Sequence, residues 1–226
     1  MGITQFYQIF ARLLVVFTSL PVHEYAHAWA SHKLGDDTAY YQGRLDLNPL
    51  AHLDIWGTVL LLFTGFGWAK PVPVNPRNFN RKISMRAGMA LTSLAGPVAN
   101  ILLAFIILTV AKVLNVLLIL LNASISVPVG IIATILSMMV SINVGLAVFN
   151  LLPIPPLDGY SILAYFIPAK WEYKIAQYRQ YIFIGLLLLL MFTPILDVPL
   201  TLLANLLYRL LDFLTGWVYL LANLVL

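Results

Sequence analysis

Leu13-Leu14-Val15-Val16-Phe17-Thr18-Ser19-Leu20-Pro21-Val22-His23-Glu24-Tyr25-Ala26-His27 carries no charge as far as Val22, and then two imidazoles and a carboxylate at once. On a helix, positions i and i+4 fall about 40° apart, so His23 and His27 share one face. Glu24 points toward the same side as His27. Two neutral imidazoles beside a carboxylate are the arrangement that holds a zinc ion and activates a water molecule. The motif is short, and two histidines with an acidic partner can also be satisfied by neighbouring helices. The apolar setting weighs against that, because ionisable groups in hydrocarbon are costly and tend to be functional.

The rest of the chain supplies that setting. Of 226 residues, 61% are hydrophobic and 10% charged, against about 25% charged in a soluble domain. This composition describes an integral membrane protein with no room for a sizeable soluble domain. The absence of cysteine excludes disulfides and thiolate metal sites, leaving His, Asp and Glu as hard ligands. The N-terminus lacks the basic region of a cleaved signal peptide, and Phe6 stands where a myristoylation site wants Ser or Thr, so the first helix is expected to stay. The net charge of +4 falls mostly between apolar segments and reads as topology bias, with no nucleic-acid partner implied.

Five crossings are expected. The first runs from about Thr4 to Lys33, kinked at Pro21. Gly35 to Asp54 does not cross, and Tyr40 to Leu47 alternates in the manner of a strand. Ile55 to Phe66 is too short to cross and reads as re-entrant. Lys33, Arg44, Lys70, Arg77, Arg81, Lys82 and Arg86 then share one face, which the positive-inside rule makes cytoplasmic. Further spans follow at about Gly88–Val110, Pro128–Phe149, Tyr181–Phe192 and Leu200–Val225. The N-terminus is thus expected outside and the C-terminus in the cytoplasm. Gly88, Thr92, Gly96 and Asn100 form a ridge of small or short polar residues, read chiefly as a packing surface, with Asn100 able to bond a neighbouring helix. The fold class expected is an all-α polytopic membrane protein of five to six transmembrane helices plus a re-entrant or β-strand segment. It forms one domain over 1–226, with its core in 1–160 and closing helices in 161–226.

A catalytic zinc keeps three protein ligands, so a third must join His23 and His27. Asp36, Asp37, Asp46 and Glu172 lie in polar loops and are read as solvated. Asp197 sits on the outer side, Asp212 falls in the closing helices, and Asp54 is possible. Asp158 fits best, because it lies at the cytoplasmic end of a span in a turn built by Pro153, Pro155 and Pro156. A plain helix cap is its alternative reading. His32 is read as interfacial and His52 is left out of the site.

His23-Glu24-x-x-His27, together with Asn150-x-x-Pro153-x-Pro155-Pro156-Leu157-Asp158-Gly159, resembles the site-2 protease family of intramembrane zinc metalloproteases. Gly96-Pro97-Val98-Ala99-Asn100 is similar to the family's Gly-x-x-x-Asn pattern. Gly43 to Pro49 and Gly67 to Pro76 look like its compact prokaryotic branch, which carries no PDZ or CBS domain. His52-Leu53-Asp54-Ile55 departs from the His-Leu-Asp-Pro form of that branch. The resemblance implies one zinc ion held by His23, His27 and Asp158, with Glu24 as general base and Asn150 as donor to the developing oxyanion.

The resemblance further implies regulated intramembrane proteolysis at the cell membrane, near its cytoplasmic face. The substrate would be a single-pass transmembrane protein whose helix unwinds before cleavage. The strand expected around Tyr40–Leu47 could pair with it by β-augmentation. A metal transporter and an inactive helix-binding relative are the competing classes. A transporter has no evident use for Glu24, and the complete ligand set argues against an inactive relative.

Overall fold

Apolar runs become helices where backbone polar groups would otherwise lack partners, and the computed structural model bears this out. It describes residues 9–10, 12–64, 67–121 and 127–223, among which there is no strand. The expected start of the first span at Thr4 and the expected end of the last span at Val225 lie outside the described residues. Among the described residues, three helices are long and apolar enough to cross a membrane, at Met85–Leu120, Val127–Asn150 and Asp197–Ala222.

The first helix enters as a π-helical turn, Val15–Ser19, and continues as α1, Leu20–Lys33. Pro21 cannot donate to the preceding turn, and the expected kink takes the form of this widened turn just before the histidines. Two short helices follow, α2 (Thr38–Tyr41) and α3 (Pro49–His52), the second capped by Asn48. The strand expected over Tyr40–Leu47 therefore does not form. Gly43 turns left-handed at φ 66, and the N–H groups of Gly43 and Arg44 return to Tyr40 and Ala39. The alternation there reflects one buried arginine among exposed residues, a pattern too short to specify a sheet. With those N–H groups used locally, no strand edge is offered for pairing with a substrate.

The apolar piece after α3 forms α4, Ile55–Thr64, about 15 Å long and so half of the hydrocarbon thickness. Asp54 caps it by accepting from Gly57 N at 2.8 Å. Arg12 covers its other end, donating to the Leu62 and Phe63 carbonyls at 2.6 and 3.1 Å. The chain then doubles back, with Trp68 against Gly57 and Lys70 N bonded to His52 O at 2.9 Å. Entry and exit meet, as a re-entrant hairpin requires. Leu61 packs with Val15 and Val16, and that contact fixes the hairpin on the first helix.

Asp36, read above as solvated, is fully buried. It accepts from Asn75 N at 2.7 Å, Asn78 Nδ2 at 2.9 Å and Thr38 N at 3.1 Å. Burial opposes its ionisation, but these bonds and one from the Thr38 hydroxyl hold its pKa below the ordinary carboxylate value. The loops on this side are thereby tied to one carboxylate. Glu172, also read as solvated, pairs with Arg86.

The centre of the bundle is α5, Met85–Leu120, which packs on α1, on α6 (Val127–Asn150) and on α7 (Asp158–Phe166). It runs ten residues past the expected end at Val110, because the segment after it is as apolar as the span itself. A short helix α8 (Ala169–Gln177) leads into α9 (Arg179–Phe192), α10 (Asp197–Leu214) and α11 (Trp217–Ala222). Leu211 on α10 joins the core of Ala104, Ile107, Leu108, Val140, Val144 and Val148. Lys112 is buried and reaches Asp212 Oδ1 at 2.7 Å, with its ammonium 5.4 Å from the Tyr219 ring. These contacts tie the closing helices to α5.

Candidate metal centre

Helical spacing alone puts His23 and His27 on one face, and the two rings are 4.6 Å apart edge to face. Their Nε2 atoms lie 3.0 Å from each other. Asp158 Oδ2 stands 3.2 Å from the first and 3.4 Å from the second. Asp158 is the first residue of α7, and Leu157 holds the cap position. The carboxylate stands against the histidines and does not hold the cap position of the helix. Gly159 makes the turn possible, since a Cβ there would lie 2.2 Å from the Leu151 carbonyl oxygen.

The opposite edges of the imidazoles determine their protonation. His27 Nδ1 lies 2.7 Å from the Thr92 carbonyl oxygen, which can only accept, so Nδ1 carries the hydrogen. For His23 the assignment passes through two asparagines. Asn143 Nδ2 donates to Met139 O at 2.8 Å and to Ser19 Oγ at 3.1 Å, which makes its Oδ1 the acceptor. Asn100 Nδ2 donates to that oxygen at 2.8 Å. Asn100 Oδ1 must then accept from His23 Nδ1, 2.6 Å away. Each ring, in its neutral form, consequently presents its Nε2 lone pair to the other and to Asp158.

Three potential metal donors thus converge, and the buried Asp158 Oδ2 has no hydrogen-bond partner. With both rings neutral, such a cluster is repulsive until a cation sits within it. Zinc bonds of about 2.0–2.1 Å give tetrahedral ligand separations of about 3.3 Å, close to the 3.0, 3.2 and 3.4 Å found. The donors fit zinc. Among the described residues, His23, His27 and Asp158 form the group able to hold a metal ion.

The ridge on α5, read from sequence chiefly as packing, is the back wall of this site. A Cβ at Gly96 would lie 2.4 Å from His27 Nε2 and 2.6 Å from His23 Cε1, so only glycine admits the imidazoles. Thr92 offers its carbonyl and Asn100 its amide, while Gly88 seats the Phe79 ring. Pro97 lies inside α5 and removes the N–H that would reach Ser93, loosening the wall beside Thr92. Ser19 and Asn143 escaped the sequence reading, and Thr92 entered it only as part of the packing ridge. The fourth-residue ridge was a signal for the Thr92 position, but nothing local marked Ser19 or Asn143.

Glu24 is half-buried, close enough for its charge to act on both His27 and Arg44. Burial pulls the Arg44 pKa below its ordinary value, and the Glu24 carboxylate opposes this. Asn150 is not drawn into the cluster, because its Nδ2 donates to Leu146 O at 3.0 Å. His52 is buried, with Nε2 on Asp46 O at 2.6 Å, and serves the loop. His32 pairs with Asp37 at 2.5 Å.

With this geometry in place, the comparisons with known proteins agree in kind. The family model of peptidase family M50 matches residues 11–192. A Bacillus subtilis protein provisionally named zinc metalloprotease YwhC is 42% identical over 183 residues, covering 81% of this chain and 80% of its own. A Mycolicibacterium smegmatis protein provisionally named zinc metalloprotease Rip2 is 29% identical over 187 residues, covering 79% of this chain and 65% of that one. Its Mycobacterium tuberculosis namesake is 29% identical over 173 residues, covering 76% and 62%. No solved structure matches the chain.

Proposed function

The chain belongs to peptidase family M50, and on that premise we propose that His23, His27 and Asp158 hold its catalytic zinc and that Glu24 is its general base. It is a membrane-embedded zinc metalloprotease of the site-2 type. The observation that carries the ligand assignment is the meeting of two imidazole Nε2 atoms and a carboxylate oxygen from separate segments at one point. Bound there, zinc supplies a Lewis acid that acidifies water and polarises a peptide carbonyl. Thr92, Asn100 and Gly96 keep both Nε2 atoms aimed inward before substrate arrives. Glu24, one residue from the first ligand, takes the proton of the attacking water and delivers it to the leaving nitrogen. The Asn150 amide has a second hydrogen beyond the one used on Leu146, and we assign it to the oxyanion.

The basic residues between the first helix and α5 support a cytoplasmic position for the site and an external N-terminus. On that reading the first helix, α5, α6 and two closing segments make five crossings, and the C-terminus is cytoplasmic. Residues 1–160 form the catalytic core and 161–226 the closing helices of one domain. The substrate is a single-pass membrane protein whose helix unwinds beside the hairpin. The decisive test is Glu24→Gln with co-expressed membrane substrates. Zinc content should stay at one per chain while cleavage falls at least 10³-fold. A variant that still cleaves overturns the assignment of Glu24.

A further inference from the structure

Between the start of α5, α7 and α8 lies a cavity of about 330 Å³ that the metal centre does not use. That volume is at the lower end for ligand pockets, about 300–1,000 Å³. Tyr160 Oη is buried in its wall with no hydrogen-bond partner, an O–H donor left unmatched. Three charges surround it, namely Arg86, Arg179 and Glu172. Arg86 is paired with Glu172, so the lining carries one net positive charge, held by Arg179. Ser161 adds a hydroxyl. A matching ligand therefore has one negative charge and several acceptor oxygens, which describes a phosphodiester.

The surroundings say where that phosphodiester comes from. Phe166, Trp171, Tyr173, Tyr178 and Tyr181 all stand exposed around the cavity's helices, interleaved with Lys170 and Lys174. Large aromatics and cations mixed in this way mark the headgroup layer of a bilayer. We propose that this cavity is a binding site for the headgroup of an anionic phospholipid, with Arg179 and Tyr160 as its phosphate donors and the acyl chains running out along the apolar face. It sits on α7, whose first residue is Asp158, so the lipid would brace the element that carries the third acceptor.

The test reads lipid directly and needs no cleavage, so it stands apart from the protease assignment. The full chain in detergent, loaded with zinc, is titrated with phosphatidylglycerol, phosphatidylcholine or inorganic phosphate, and retained adducts are counted by native mass spectrometry. Phosphatidylglycerol should be retained and phosphatidylcholine should not. Arg179→Gln and Tyr160→Phe should each weaken retention about tenfold, with zinc content unchanged. Arg77→Gln, an exposed arginine outside the cavity, should not weaken it. Equal retention of both lipids, equal loss in Arg77→Gln, or full retention in both cavity variants overturns the proposal. Saturation by inorganic phosphate that displaces the lipid reassigns the source to free phosphate and also overturns it.

Discussion

Two polar clusters meet α5 inside an otherwise apolar bundle, one at Thr92–Asn100 and one at Lys112. At Lys112 an ammonium finds the Asp212 carboxylate and carbonyl at 2.7 and 2.9 Å, and the Tyr219 ring lies close by. Donor and acceptor are matched, and much of the Asp212 side chain reaches solvent. At the other cluster, two neutral imidazoles and a carboxylate would bring three lone pairs together, and Asp158 Oδ2 has no hydrogen-bond partner. The difference separates a structural polar contact from a functional one. A matched pair offsets part of the cost of burying the Lys112 ammonium. An unmatched cluster demands a partner that the chain does not contain.

That comparison can be broken by overfilling the unmatched cluster. Gly96→Ala places a Cβ 2.4 Å from His27 Nε2, so zinc content should fall below a tenth of wild type and cleavage should be lost. Normal zinc in this variant, measured by elemental analysis of purified protein, would mean that the ridge is only packing. A subtler change sharpens it. Asn100→Leu releases the His23 tautomer without touching a donor atom, so zinc affinity should drop about 10–100-fold in a chelator competition. Smallest of all should be Lys112→Met, which keeps the length and packing of the side chain. Zinc content and cleavage should then stay within about twofold of wild type, with a modest loss of thermal stability. Loss of zinc in Lys112→Met would show that the two clusters are coupled through α5.

Much of this site could be read in the chain itself. His23, Glu24 and His27 were visible because helical spacing is a local property, and Asp158 because three prolines prescribe its turn. The short α4 has the length read for it in the sequence, about half of what a crossing needs. Tyr40–Leu47 misled because a period of two over eight residues also arises in a loop with one inward arginine. Asp36 misled because a loop carboxylate looks solvated until other segments bring N–H groups to it. Asn100 was seen as a helix–helix contact, but its service to His23 was not, since that depends on Ser19 and Asn143 arriving together.

The sequence by itself determined that this chain enters a membrane and which side chains can bind zinc, because hydrophobicity and spacing act along a single segment. Only the tertiary structure decided that Asp158 meets both histidines, which ring nitrogen each histidine keeps bare, and why position 96 has no side chain. Those outcomes depend on which groups from distant segments come within about 3 Å of one another, where desolvation makes each unmatched lone pair costly.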